Sequence, residues 1–302
     1  MKVKKDALKD HILEERRHAK QLKEASEDER GRLYGVAYDA TYASFGTAGR
    51  NARDLRFGAS LADPMIIDHI FGSGNNVLEV GCGFGWVAMA LARTQETVVG
   101  VDVSAKAVDQ ACRESSNLSN VHFAVMEATH HLALPDGSFD AVVGIDFIEH
   151  LHPDDVVPHL QEIWRVLRPG GAYYIKTPSR LSGPSDLSRL AKQAGLDDDG
   201  DGEAHCLHLK EWTYRELTSL LHGQGFHCSA VPLRGAGGFA WPGARASVAF
   251  LPLWSKLALE RFLGIRSFGR AGRLVAKAFL TCMVVAWKSE RDAVDRQQIG
   301  RF

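Results

Sequence analysis

From residue 75 to 177 short, mostly β-branched runs alternate with longer stretches whose apolar positions recur at helical spacing. The runs are Asn76–Val80, Thr97–Val101, Val121–Val125, Ala141–Ile145 and Ala172–Thr177. Strand–helix–strand repetition with short apolar strands predicts an α/β fold whose parallel sheet is covered by helices on both faces. Phe226–Val231 predicts a sixth strand and Thr281–Trp287 a seventh. Between these two lies a long connection, 233–280, in which Leu253, Trp254, Leu257, Leu259 and Phe262 form one apolar face. At the other end of the chain, residues 1 to about 30 are dominated by Lys, Glu, Asp and Arg. Leu8, Ile12 and Leu13 make only a thin apolar stripe, which predicts a surface helix. Tyr34, Tyr38 and Tyr42 follow at intervals of four, on one face of a helix. Packing against the core is the favoured reading of that stripe, and a lid over a ligand is the other. The pattern therefore divides into an N-terminal helical extension, 1–60, and one large domain, 61–302, carrying the insertion 233–280.

Composition narrows the class without changing this picture. The 302 residues include 29 Gly, 10 Pro and 5 Cys, which excludes collagen-like, disordered and disulfide-scaffold chains. Cys82, Cys112, Cys206, Cys228 and Cys282 contain no C-x-x-C pair, so a reduced, cytoplasmic compartment is expected and a thiolate zinc site is not. The opening Met-Lys-Val-Lys-Lys-Asp reaches no apolar stretch, so no secretory signal is expected. Leu274 to Trp287 is interrupted by Lys277 and too short to cross a bilayer. The net charge of -1 hides an asymmetry. Arg234 to Phe302 holds 12 Lys and Arg against 4 Asp and Glu, leaving 24 against 33 in the first 233 residues. Solvated helical faces account for such a tail; an anionic substrate, a nucleic acid or a membrane surface is the alternative.

The chemistry concentrates at the ends of the predicted strands. Val77-Leu78-Glu79-Val80-Gly81-Cys82-Gly83-Phe84-Gly85 runs an apolar strand into a G-x-G-x-G turn, with a helix beginning near Trp86. Glycine allows a sharp turn and close approach of a ligand, and a helix N-terminus adds free N–H donors. The dinucleotide pattern G-x-G-x-x-G would need glycine where Trp86 stands, which argues against a nicotinamide dehydrogenase. Asp102 ends the second strand, where a carboxylate can accept from both hydroxyls of a ribose, while Ser104 is placed to cap the next helix. Met126 and Glu127 follow the third strand, where an acid can accept from an adenine amino group. Strand four ends at Asp146-Phe147-Ile148-Glu149-His150-Leu151, and a helix closes at Leu167-Arg168-Pro169-Gly170-Gly171.

Together these motifs resemble the class I S-adenosylmethionine-dependent methyltransferases, of the small-molecule branch, over residues 70–232 and again at 281–288. The resemblance implies a Rossmann-like sheet of order 3-2-1-4-5-7-6 with strand seven antiparallel, and S-adenosylmethionine as cofactor. It implies that Gly81, Gly83 and Gly85 accommodate the methionine end and that Glu79 helps organise its amino group. Asp102 with Val103 would hold the ribose, Met126 and Glu127 the adenine, and Asp146 would complete the pocket. Glu127 stands where the family more often has Asp.

Ligands of open α/β sheets bind beyond the carboxyl ends of the strands, which restricts the search for a base. Asp146, Glu149, His150 and His152 follow strand four, and Lys176 to Arg180 follow strand five. His150, His205 and His208 are the catalytic candidates, the last two lying in Glu203-Ala204-His205-Cys206-Leu207-His208 before a predicted helix. A helix-capping or packing role for His150 stands beside the catalytic one. No third ligand at fitting spacing accompanies His205 and His208, so no metal is expected there. Mg²⁺ held by Asp146, His150 and the acids of 197–201 is the minor alternative. Arg180 could clamp an anion. The reading is an O-methyltransferase acting on a hydroxyl of a small molecule, with a sugar, glycan precursor or lipid-linked intermediate as acceptor classes. An N- or C-methyltransferase and a non-catalytic S-adenosylmethionine binder are the alternatives. Neither nucleic acid nor a membrane span is expected; a packed cap is the default reading of 233–280, with a homodimer contact or peripheral membrane contact as the alternatives.

Overall fold

The computed structural model describes residues 2–44, 72, 75–182, 185–196, 205–230, 253–265 and 282–289. Seven strands form one sheet: β1 (Asn76–Val80), β2 (Thr97–Asp102), β3 (Val121–Val125), β4 (Phe139–Ile145), β5 (Leu167–Thr177), β6 (His227–Ala230) and β7 (Cys282–Trp287). Their order is β3-β2-β1-β4-β5-β7-β6, with β7 antiparallel to both β5 and β6 and every other pairing parallel. The expected topology is thus the observed one. It arises because the central strands are apolar on both sides: in β1, Val77 enters one core with Val143, Tyr174 and Val285. Leu78 enters the other with Val142, Tyr173 and Ile163.

Helices α1 (Lys2–Glu24) and α2 (Glu27–Ser44) precede the sheet. Those between strands are α3 (Trp86–Leu91), α4 (Ala105–Glu114) and α5 (Val156–Val166). After β5 come α6 (Ala191–Ala194), α7 (Tyr214–Gly223) and α8 (Leu253–Ile265). One boundary differs from expectation. The helix ends at Val166, and Leu167-Arg168-Pro169-Gly170-Gly171 already belongs to β5, whose register against β4 shifts between Phe139 and Ala141.

Two buried networks fix the surroundings of the strand ends. Arg30 on α2 donates from Nε to Asp155 Oδ2 at 2.8 Å, and its Nη2 donates to Asp155 Oδ1. Tyr34 donates to Asp155 Oδ2 at 2.8 Å and accepts from the His152 N–H at 2.7 Å. An anion and a cation both this deeply buried hold each other, because either alone would be costly. On the opposite flank, the Glu260 carboxylate of α8 accepts the N–H groups of Tyr214 and Arg215 at the start of α7. Lys256 donates to Tyr214 Oη at 2.7 Å. Of the insertion 233–280 only α8 is described. The acids of 197–201 and Glu203 also lie outside the described residues.

Candidate functional site

The strand order reverses between β1 and β4, and there the carboxyl ends of the strands open into a cavity of about 580 Å³ that includes open solvent. Its wall contains Gly81, Asp102, Val103, Met126, Glu127, Asp146 and His150, together with Tyr34, Tyr38 and Tyr42 of α2. The glycine turn is built as its sequence requires. Gly81, Gly83 and Gly85 have φ of 68°, 52° and 74°, where L side chains are strained. A Cβ on Gly83 would lie 2.8 Å from Tyr42 Oη, and one on Gly81 would collide with the Phe147 ring.

Asp102 is buried at the cavity's edge. Its Oδ2 accepts from Gly83 N and its Oδ1 from Ser104 N, each at 2.8 Å. Burial pushes the carboxyl pKa up, and these N–H groups oppose that by favouring the anion. Ser104 caps α4 as expected, accepting from Ala107 N, and its hydroxyl donates to Asp39 of α2 at 2.6 Å. Glu127 accepts from Thr129 N at 2.6 Å, which turns the loop after β3 along the wall. Asp146 has φ of 49°, the one positive value outside glycine among the described residues. Lys176 holds it, with Nζ 3.0 Å from Oδ2.

Glu79, Gly83, Gly85, His205 and His208 do not line the cavity. Glu79 lies beneath the turn and accepts from Ala88 N at 2.8 Å, tying β1 to α3. Trp86 faces α4, where its Nε1 donates to Glu114 at 3.1 Å. The His205 N–H donates to Ser188 Oγ at 2.9 Å. Arg180 is paired with Glu216 of α7 at 3.1 Å.

His150 and His208, 58 positions apart in the chain, are brought together. The segment 207–210 docks on the short helical turn Ile148–His150: Lys210 N donates to Glu149 O at 3.1 Å, and His150 Nδ1 lies 3.0 Å from Leu207 O. The two imidazoles stack edge to face, 4.7 Å between centroids, and Tyr38 meets His150 at 5.6 Å. Burial drives the His150 pKa down to about 3, so the ring is neutral. His208 Nδ1 lies 2.9 Å from Glu211 Oε1. Although burial opposes it, that carboxylate raises the His208 pKa. Glu149, fully buried, accepts from Thr177 Oγ1 at 2.9 Å through Oε2, while Oε1 has no hydrogen-bond partner. Burial pushes its pKa up to about 7. One ligand-type atom from each of Glu149, His150 and His208 lies within 4.8 Å of the others. Such a group can orient a hydroxyl, take a proton, or hold a cation. Sequence reasoning placed Glu149 in the search for a base but not in the site, and it missed Glu211; both act through burial and contacts that spacing does not reveal.

A family model described as a methyltransferase domain matches residues 77–171. A probable S-adenosylmethionine-dependent methyltransferase of Mycolicibacterium smegmatis is 32% identical over 154 residues, covering 51% of this chain and 52% of that one. A fatty-acid O-methyltransferase of the same organism is 41% identical over 109 residues, covering 35% and 38%. The chain thus spans about half or less of these two relatives' length. The ubiquinone biosynthesis O-methyltransferase of an Azoarcus species is 31% identical over 193 residues, covering 52% of this chain and 78% of that one. Among solved structures, phosphoethanolamine N-methyltransferase 1 of Haemonchus contortus superposes with a TM-score of 0.51 at 13% identity, over 86% of this chain and 49% of that one. That likeness is one of fold.

Proposed function

Because this chain belongs to the class I S-adenosylmethionine-dependent methyltransferases, we propose that it transfers the methyl group of S-adenosylmethionine to a hydroxyl of a small molecule. The observation that carries this reading is one cavity lined both by Asp102, Met126 and Glu127 and by His150. The fit to the methyl donor rests on three features. Gly81 leaves room against the backbone, Asp102 keeps a buried carboxylate at the end of β2, and Met126 and Glu127 flank a place for a flat base. In this proposal Asp102 with Val103 holds the ribose, Met126 and Glu127 hold the adenine, and Asp146 closes the pocket after β4. Glu79 acts indirectly, by bracing the turn. The bound donor supplies a methyl already activated on a sulfonium, so the protein's task is alignment and exclusion of water. Such positioning corresponds to effective molarities of ~10^5–10^8 M. Tyr34, Tyr38 and Tyr42 line the same cavity, and in this proposal they exclude water once donor and acceptor are bound. The hydroxyl meets neutral His150, and its proton leaves toward the cluster behind, His208 with Glu149. His205, which does not line the cavity, has no role in the proposal. Relatives named for fatty acids and for ubiquinone biosynthesis favour the lipid-type acceptor over a sugar.

The test supplies S-adenosylmethionine carrying a ¹³C-methyl group to the purified protein with panels of hydroxylated lipids, phenols, sugars and amines. Carbon NMR of the products separates methoxy from N-methyl and C-methyl carbons. A methoxy product, abolished on the order of 100-fold in His150→Ala, is expected. N-methyl products alone, or no turnover with any acceptor, would overturn the reading.

A further inference from the structure

We propose that Glu149, His150 and His208 form a binding site for a divalent first-row transition ion, of which zinc is the reference case. The proposal rests on the reading of the His150 wall as the acceptor side and deepens it.

The argument starts from what each side chain has already committed. His208 has Nδ1 against Glu211 Oε1 at 2.9 Å, and Ser185 Oγ donates to that same carboxylate at 2.6 Å. His150 has Nδ1 against the Leu207 carbonyl at 3.0 Å, and the Asp146 carbonyl also faces the ring; with the hydrogen on Nδ1, the lone pair is on Nε2. Glu149 has Oε2 fixed by Thr177 Oγ1, while its other oxygen, Oε1, is fully enclosed and has no donor. Imidazoles tied through one nitrogen to a carboxylate or a backbone carbonyl, beside a carboxylate tied by a hydroxyl, are the outer-shell arrangement that orients metal ligands. A buried carboxylate oxygen without a donor is otherwise costly, and a cation removes that cost.

The donor set selects the ion. Two imidazoles and one carboxylate form the three-ligand set of catalytic zinc sites, with a fourth position open. Hard oxygen-preferring ions such as Mg²⁺ are poorly served by two nitrogens. Ligand atoms about 2.1 Å from a tetrahedral zinc lie about 3.4 Å apart. The present limit of 4.8 Å therefore closes with side-chain shifts of around 1 Å. The ligands come from two distant segments, which is why no local spacing announced them. Of the three, only His150 reaches the cavity wall, so the open position faces the acceptor side. There the ion would act as a Lewis acid on the acceptor hydroxyl, and with Glu149 and His208 engaged as ligands the hydroxyl proton would pass to water instead of to them. The donor's methyl carbon bonds to that oxygen as its bond to sulfur breaks.

The experiment uses the full chain, stripped with chelator and dialysed. Co²⁺ binding is followed by visible absorption and Zn²⁺ binding by calorimetry, with folding and S-adenosylhomocysteine affinity measured alongside. One equivalent of Co²⁺ with d–d bands is expected. Affinity should fall by on the order of 100-fold or more in Glu149→Gln and His208→Ala, and by about 10–100-fold in Glu211→Gln, which touches only the outer shell. His205→Ala should bind like the unaltered chain. No stoichiometric binding by the unaltered chain, or equal affinity in Glu211→Gln and the ligand variants that remain folded, would overturn the site. Methoxy product undiminished in chelator, without Co²⁺ binding, would overturn the metal and leave the transfer reading intact. Co²⁺ binding without methyl transfer would do the reverse.

Discussion

At the scale of single residues, the glycine turn and Asp102 were legible because their chemistry depends on neighbours in the chain. A β-branched run, glycines at alternate positions and an acid at the next strand's end need no tertiary information. His159 was not legible. It lies on the buried face of α5, fully enclosed, with Nδ1 2.6 Å from the Ala128 carbonyl and Nε2 3.1 Å from Tyr173 Oη. Burial lowers its pKa from 6.5 to about 4. Between those values the unfolded chain takes up a proton that the folded chain refuses, so stability present above pH 6.5 is lost as pH falls toward 4. The full effect is up to about 3 kcal/mol. Denaturant unfolding at a series of pH values should show His159→Gln losing less stability than the unaltered chain between pH 6.5 and 4. Parallel curves would show that His159 does not carry this linkage.

At the scale of elements, the tyrosine stripe of α2 exposes the limit of pattern reading. Spacing placed Tyr34, Tyr38 and Tyr42 on one face, but core packing and a ligand wall present the same periodicity. Tyr34 is buried in the cluster with Leu22 and Leu207, and all three tyrosines also line the cavity, so one stripe serves the core and the cavity wall. The contact that decides how α2 sits is Arg30 with Asp155, 125 positions apart and so invisible in local sequence. Removing one partner of a buried pair costs about 3–5 kcal/mol because the other charge is left alone. Arg30→Ala should therefore loosen α1 and α2. Hydrogen exchange in residues 2–44 should accelerate while β1, β4 and β5 stay protected, and S-adenosylhomocysteine affinity should fall as the tyrosine wall loosens. Unchanged exchange in α2 would mean that the pair does not anchor it.

At the scale of the molecule, the alternation of strands and helices made a covered parallel sheet legible, while its strand order and the antiparallel β7 were legible through the family resemblance alone. The charge map was less so. Counting charges assigned a basic character to the carboxyl-terminal part, yet two of its lysines are structural. Lys256 is buried against Tyr214, and Lys288 donates to the Trp164 and Leu167 carbonyls at 2.7 and 2.6 Å. Neither is available to an anionic partner, and no helix among the described residues is long and apolar enough to cross a membrane. The fold thus directs attention to the open end of the sheet, where β1, β2 and β4 deliver Gly81, Asp102 and Asp146 to one cavity. Calorimetric titration of S-adenosylhomocysteine into the unaltered chain and into Asp102→Ala, each checked by thermal melting, tests that assignment directly. One binding site per chain is expected, weakened by about tenfold or more when the carboxylate is removed. Equal affinity in the two folded proteins, or no binding by the unaltered chain, would contradict it.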